Sequence, residues 1–245
     1  MAADRPTAEP TPARCALVTG GTRGIGAAIA ARLLRDGVAV TVTGTRPEGA
    51  GPEGSSYLAI DLSDRAAAAA FAGGLDEAGY DILINNAGIN AIAKFDEIDP
   101  DDFDRIHEVN LRSAFLLCRA VVPSMRRRGF GRIVNITSIF SVVSREQRAS
   151  YSASKFGLDG MTAALAAEVA RDGILANCVS PGFVDTDLTR RVLGPAGMAE
   201  LAARVPMQRL AQPPEIAALV AWLAGPDNTY LSGQNIVIDG GFCRV

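Results

Sequence analysis

Ser138, followed after twelve residues by Tyr151-Ser-Ala-Ser-Lys155, is the grouping in this chain best suited to chemistry. On a helix, residues four apart share one face, so Tyr151 and Lys155 can project into a single site. A phenol held beside an ammonium is a proton donor, and a neighbouring serine hydroxyl can stabilise charge as it develops on an oxygen. The lysine is informative through its rarity, since of 24 basic residues only Lys94 and Lys155 are lysines. Arginine keeps its proton and presents a planar fork, whereas the lysine ammonium is compact and its pKa moves readily with its surroundings.

A second constellation lies upstream. The apolar run Cys15-Ala-Leu-Val-Thr19 leads straight into Gly20-Gly-Thr-Arg-Gly-Ile-Gly26, and Ile25, Ile29 and Leu33 then recur at helical spacing. Between a strand and a helix such a loop binds a dinucleotide. Gly20 allows a tight turn, Gly24 lets backbone approach a pyrophosphate, Gly26 lets helix pack on strand, and the helix N-terminus offers free N–H groups and a positive dipole. The next strand ends in Val40-Thr-Val-Thr-Gly-Thr-Arg46, with no carboxylate for a ribose 2′-hydroxyl. Arg46 and Arg23 suit a 2′-phosphate through charge-assisted hydrogen bonds, so NADP(H) is expected in preference to NAD(H).

These groups need elements to carry them. Strand-length apolar runs alternate with helical patterns, the order of a parallel sheet covered on both faces. Strands are expected at Ala16–Val18, Ala39–Thr43, Tyr57–Ile60, Ile82–Ile84, Arg132–Ile136, Leu175–Val179 and Asn235–Ile238. Helices are expected at Gly24–Arg35, Ser63–Phe71, Pro100–His107 running on towards Arg128, Ser150–Arg171 and Pro213–Ala224. The fold class is therefore α/β: a single-domain Rossmann fold with a doubly wound, seven-stranded parallel sheet and helices on both faces. Residues 186–211 break at Gly194-Pro195 and Pro206 and are expected to form short helices over the site as a mobile lid.

Composition narrows the function. With 245 residues, 48% of them hydrophobic, the chain can bury one substantial core, and residues 13–245 read as one domain. A net charge of -3 offers no basic surface for nucleic acid, and no apolar run reaches the roughly 18–20 residues needed to span a bilayer. Residues 1–12, rich in Pro and Ala, lack a secretory apolar core and are expected to be a disordered tail. Cysteines at 15, 118, 178 and 243 form neither a metal-binding nor a disulfide pattern, which fits a reducing cytoplasm and no metal. The single histidine, His107, lies in a helical stretch as a packing or surface residue, and no Gly-x-Ser-x-Gly elbow is present. A Ser-His-Asp hydrolase is thereby disfavoured.

Taken together, residues 14–241 resemble the short-chain dehydrogenase/reductase family, and most closely its 3-oxoacyl-acyl-carrier-protein reductase-like members. The resemblance rests on Thr19 to Gly26, Asp61-Leu62, Asn85-Asn-Ala-Gly88, Asn110, Ser138, Tyr151, Lys155, Pro181-Gly-Phe-Val-Asp-Thr186 and Ser232-Gly-Gln-Asn-Ile-Val-Ile-Asp-Gly-Gly241. It implies a catalytic set of Asn110, Ser138, Tyr151 and Lys155, with Asn110 supporting a water that extends the proton path. It also implies cofactor contacts from Gly20, Thr22, Arg23, Gly24, Ile25, Gly26, Arg46, Asp61, Leu62, Asn85, Ala87, Gly88, Tyr151, Lys155, Pro181, Gly182, Val184 and Thr186. Asp61 equally reads as a cap, and Asn85-Asn86 as a turn stabilised by side-chain bonds to backbone.

The implied reaction is hydride transfer between NADP(H) and a ketone or β-ketoacyl thioester. Tyr151 acts as acid, and Lys155 together with the positive nicotinamide of the oxidised cofactor is expected to lower its pKa from about 10. Alternatives are an oxidative alcohol or sugar dehydrogenase and a catalytically silent dinucleotide-binding protein. Phe140, Gln147 and Phe183, with Ile139, Val142, Val143, Leu188, Leu193, Met198 and Met207, form a mainly apolar substrate wall. Acyl carrier protein is a candidate partner, because Arg132 matches an entrance position and Arg126, Arg127 and Arg128 lie close by, although Asp172 stands where the family pattern has arginine. The resemblance also implies a homotetramer, paired through the helices containing Asn110 and Tyr151 and through the C-terminal segment around Phe242 and Val245.

Overall fold

The computed structural model describes residues 14–244. The tail expected over 1–12 and Val245 lie outside the described residues, as does the side chain of Leu188. Among the described residues, seven strands form one sheet: β1 (Cys15–Val18), β2 (Ala39–Gly44), β3 (Ser56–Ala59), β4 (Ile82–Asn85), β5 (Gly131–Ile136), β6 (Ile174–Pro181) and β7 (Asn235–Ile238). They are all parallel, in the order β3-β2-β1-β4-β5-β6-β7. The helices are α1 (Gly24–Arg35), α2 (Arg65–Gly73), α3 (Leu75–Ala78), α4 (Pro100–His107), α5 (Ser113–Arg128), α6 (Ala149–Val169), α7 (Asp187–Ala203) and α8 (Pro213–Ala224).

Strand residues alternate between two cores. Ala16 and Val18 of β1, Ile82 and Ile84 of β4, and Val134 and Ile136 of β5 pack with Ile29 and Leu33 of α1 and Ile216 and Val220 of α8. Leu17, Leu83 and Ile133 point the other way, against Leu117, Val121 and Met125 of α5 and Ala166 and Val169 of α6. Burial on both faces explains why the strands read as continuous apolar runs. Each fully buried Leu or Ile contributes about 1.5–3 kcal/mol through its burial.

The sheet also positions the site. β1 pairs with β2 on one side and β4 on the other, so the chain reverses direction across the sheet at this point. The loops leaving the carboxyl ends of β1 and β4 diverge there, and a crevice for ligand opens between them.

Two elements differ from the sequence expectation. The second helix begins at Arg65, because the Asp64 carboxylate caps it by accepting from the N–H groups of Ala66 and Ala67 at 2.8 and 3.0 Å. The long helix from Pro100 is interrupted by a π-turn at Glu108–Arg112, which contains Asn110. The segment after Thr186 does form short helical stretches that break at Gly194, whose φ of 64° and ψ of 178° are non-helical, with Pro195 following. As expected, His107 is a packing residue: its Nδ1 lies 2.8 Å from the carbonyl oxygen of Phe103, and the two rings stack.

Candidate active site

The glycine turn is held by its neighbours. Gly20 and Gly24 take φ values of 62° and 55°, which side-chain-bearing residues rarely adopt. The Asn86 amide donates to the carbonyls of Thr19 and Gly20 at 2.9 and 3.1 Å. The Thr19 hydroxyl accepts from the N–H groups of Asn86 and Ala87, both at 3.0 Å. A Cβ at Gly26 would collide with the Gly20 carbonyl and the Asn86 amide, so this glycine is fixed by close backbone approach. Asn86 is thus the residue that ties the β1 turn to the end of β4.

The start of α1 is open to an anion. No side chain caps it and no acidic residue occupies its first turn, so its first N–H groups face outward under a positive dipole. Thr22 and Arg23 are exposed, whereas Ile25 is half-buried against the core. Arg46 is exposed beyond β2, and its carbonyl accepts the Tyr57 hydroxyl at 2.5 Å. Among the described residues, no ion pair engages Arg23 or Arg46. The chain therefore presents a phosphate cradle with two uncommitted guanidinium groups near it.

The remaining cofactor candidates gather around this crevice with different duties. A Cβ built at Gly24 would stand 3.6 Å from Thr186 Cγ2, which brings the start of α7 to the glycine turn. Thr186 also caps α7, its hydroxyl accepting from Thr189 N–H at 3.2 Å. Pro181 ends β6, Gly182 donates to the Ile238 carbonyl, and Val184 bridges to Ala211. The Asp61 carboxylate accepts from Ser63 N–H and Oγ at 2.9 and 2.7 Å, bonds that lower its pKa, and Leu62 beside it is buried. The side chain of Asn85 turns into the core, donating to Asn135 Oδ1 at 2.8 Å, so this residue meets the groove through backbone alone.

Asn110, Ser138, Tyr151 and Lys155 converge below the crevice. Within the π-turn, Asn110 Oδ1 accepts from Ile89 N–H at 2.8 Å, and its Nδ2 donates to the Ile89 carbonyl at 2.9 Å and to Ser154 Oγ at 3.1 Å. The loop after β4 is thereby clamped to α6. A Cβ at Gly88 would lie 3.4 Å from Asn110 Oδ1 and 3.6 Å from Lys155 Nζ, so Gly88 forms the floor between them. Ser138 follows β5, and its hydroxyl accepts from Phe140 N–H at 3.2 Å.

Lys155 is 3% exposed, and its Nζ donates to the Ile136 carbonyl at 2.8 Å. The ammonium stands 5.6 Å from the centre of the Tyr151 ring. Burial pulls its pKa down to about 8. Burial raises the Tyr151 pKa in the resting site, and the groups drawing it back are the Ser138 hydroxyl and the Arg148 charge. Although Tyr151 is part-exposed as a residue, its hydroxyl is enclosed by these neighbours. The lysine ammonium is turned towards the end of β5 and not onto the phenol oxygen.

Comparison with known proteins decides the family. The family model described as enoyl-(acyl carrier protein) reductase matches residues 20–243. The chain belongs to the short-chain dehydrogenase/reductase family. A 3-oxoacyl-(acyl-carrier-protein) reductase, FabG of Vibrio cholerae, is 37% identical to it over 95% of this chain and 98% of the relative. Acetoacetyl-CoA reductase of Allochromatium vinosum is 37% identical over 94% of this chain and 98% of the relative. Among solved structures, a putative NAD(P)-dependent gluconate 5-dehydrogenase from Beutenbergia cavernae, with bound NADP, superposes with a TM-score of 0.87. It is 34% identical over 96% of this chain and 99% of that one.

Around this short-chain dehydrogenase/reductase centre, the residues expected to form a substrate wall are only partly apolar. Phe140 is buried and meets the Tyr151 ring edge-on, with centroids 6.3 Å apart. Phe183 packs edge-on against Phe242 at 5.0 Å. Gln147 is exposed and left-handed, with φ of 64°. Sequence reasoning passed over Arg145 and Arg148, whose guanidinium carbons lie 5.8 and 5.6 Å from the Phe140 ring centre. Two arginines within the short spacer between Ser138 and Tyr151 were the available signal.

The expected basic entrance is not free. Arg132 is 6% exposed and donates to the carbonyls of Gly131, Gly173 and Asn228. Arg126 pairs with Asp172, Arg127 with Asp76, and Arg128 with Asp81. Asp172, standing where arginine was expected, neutralises one of the residues meant to attract an acidic carrier.

Proposed function

We propose that this chain is an NADP(H)-dependent carbonyl reductase whose proton donor is Tyr151. The observation that carries the reading is the enclosure of the Tyr151 hydroxyl beside Ser138, one helical turn from a buried ammonium, below a phosphate cradle with free arginines. The residues fit a dinucleotide. The open α1 terminus and Gly24 accept the pyrophosphate, Arg23 and Arg46 take the 2′-phosphate, and the groove runs past Ala87 and Gly88 towards Lys155.

NADPH held in this groove would supply the hydride to the carbonyl carbon. As the carbonyl π pair moves to oxygen, the Tyr151 O–H bond breaks to deliver the proton there. Ser138 donates a hydrogen bond to the same oxygen as charge builds. Lys155 remains an ammonium below about pH 8 and balances the phenolate left behind. Asn110 holds the loop and helix that frame this path. A phenol whose pKa is raised in the resting site favours holding the proton until the alkoxide demands it.

Ketones and β-ketoacyl thioesters are the substrate class, by likeness to relatives named 3-oxoacyl-(acyl-carrier-protein) reductase and acetoacetyl-CoA reductase. The paired state of Arg126, Arg127 and Arg128 argues against a carrier protein as the obligatory form of delivery. A homotetramer is proposed as well. Phe115 of α5 and Phe156 of α6 are 48% and 45% exposed, and Trp222 of α8 and Val237 of the edge strand β7 are exposed as well.

The test is NADPH oxidation with ketones and β-ketoacyl thioesters, run against NADH and against Tyr151→Phe. Wild type should turn over with NADPH in preference to NADH. The variant should bind NADPH normally by fluorescence yet lose about 10²–10⁴-fold in rate. A Tyr151→Phe enzyme of undiminished rate would remove this residue from the chemistry.

A further inference from the structure

Arg148 is the residue immediately before α6, half-buried and three positions ahead of Tyr151. Its Nε is buried and, among the described residues, has no hydrogen-bond partner. No ion pair among the described residues engages Arg148 or Arg145. The charged groups acting on Arg148 are Arg145, which repels it, and Tyr151, and burial further disfavours its charge. A guanidinium of this kind ordinarily has a carboxylate beside it.

The surroundings repeat the deficit. Both guanidinium groups lie over the Phe140 ring, which itself meets Tyr151. The first turn of the 21-residue α6 holds no acidic residue and no side chain caps it, so the positive end of its dipole faces the same region. Glu146, between the two arginines in the chain, is exposed and among the described residues pairs with neither of them, while across the flank of Gln147 Asp99 caps α4 by accepting from Asp101 N–H and Asp102 pairs with Arg105. The residue before Arg148, Gln147, holds a left-handed φ of 64°. Strain of that kind in a non-glycine residue persists where the surroundings require it and gathers at ligand sites.

We propose that Arg148, assisted by Arg145, is a subsite for a carboxylate carried by the substrate, and that the enzyme reduces small oxo acids. The proposal rests on the reductase reading and adds the substrate class to it. Carboxylate is preferred over phosphate because Arg148 stands at the start of the helix that carries Tyr151 and over the Phe140 ring that meets Tyr151 edge-on, which places its anion close to the reacting carbonyl. The phosphates of a coenzyme or carrier thioester are many bonds removed from theirs. A planar guanidinium with a free Nε suits a two-oxygen anion geometrically.

Two measurements test this. In the first, NADPH oxidation is followed with 3-oxobutanoate, its methyl ester and its coenzyme A thioester, using wild type, Arg148→Gln and Arg148→Lys. The expectation is that wild type favours the acid over the ester by at least about tenfold in kcat/KM, a gap that charge-assisted bonding readily supplies. Arg148→Gln should bring the acid-to-ester ratio of kcat/KM close to one through KM for the acid, any effect on Tyr151 being common to both substrates and cancelling in the ratio, and Arg148→Lys should restore part of the gap. Equal use of acid and ester by wild type, or equal damage to both in Arg148→Gln, overturns the subsite.

The second measurement is independent of turnover. Calorimetric titration of the NADP+-loaded enzyme with 3-hydroxybutanoate and its methyl ester should give at least about tenfold tighter binding of the acid, lost in Arg148→Gln. Acid binding without hydride transfer would uphold the subsite and sink the reductase reading. Hydride transfer with no acid preference would do the reverse.

Discussion

An ammonium held at 3% exposure, bonded to one backbone carbonyl, is an expensive feature, and Lys155 shows how the site uses it. Burial lowers its pKa from 10.5 to about 8, so in the folded chain the charge is present at neutral pH but weakly held. Between about pH 8 and 10.5 the unfolded chain binds this proton and the folded chain does not, so this residue makes stability rise with pH across that window. Wild type should therefore gain on Lys155→Met by about 3 kcal/mol on going from pH 7 to 10, read from urea denaturation at each pH. The rate of carbonyl reduction should fall above about pH 8 as the ammonium is lost, which a kcat profile will register. Tyr151, Lys155 and Ser138 were identifiable from residue type and spacing alone. Their influence on one another was not, because burial and orientation set the pKa values. The lysine donates to the Ile136 carbonyl, and a second cation, Arg148, lies three residues ahead of the phenol.

Elements do their positioning through a few side-chain bonds to backbone. The π-turn at Glu108–Arg112 swings Asn110 towards the loop after β4, where it takes both the N–H and the carbonyl of Ile89 while touching Ser154. π-Turns inside helices frequently mark functional positions. Asn110→Ala leaves those backbone groups unpaired and should destabilise the fold by about 1–3 kcal/mol in chemical denaturation, with kcat reduced as Gly88 and Lys155 lose their alignment. Helical periodicity predicted a continuous helix from Pro100 onward, since one extra residue in a turn barely disturbs an apolar pattern. Asn86 was readable as a residue that bonds through its side chain to backbone, but not as the anchor of the glycine turn, because its partners Thr19 and Gly20 lie far away in the chain. By contrast, the last helix matched its sequence reading throughout. Pro213 and Pro214 open it, and Gln212 and Glu215 form a reciprocal cap, all of it local chemistry.

At the scale of the whole molecule stands the proposed tetramer. Phe115 and Phe156 lie on neighbouring helices and leave apolar surface that one chain does not cover. Phe115→Glu should shift the proposed tetramer to a smaller species in light scattering coupled to size exclusion, with each subunit remaining folded by circular dichroism. The opposite charge pattern holds at the expected carrier entrance. Arginines that looked available along the sequence are spent on Asp76, Asp81 and Asp172, residues brought to them by the packing of α3, β4 and the turn before β6.

The sequence by itself determined the strand and helix order, the parallel sheet, the phosphate turn and the Ser138, Tyr151 and Lys155 set, because each is written in local spacing and in apolar alternation. Tertiary structure alone decided which cations are paired, which way the lysine faces and where the long helix bends. Those outcomes depend on groups remote in sequence meeting at short range, where burial and charge act together and no periodicity records them.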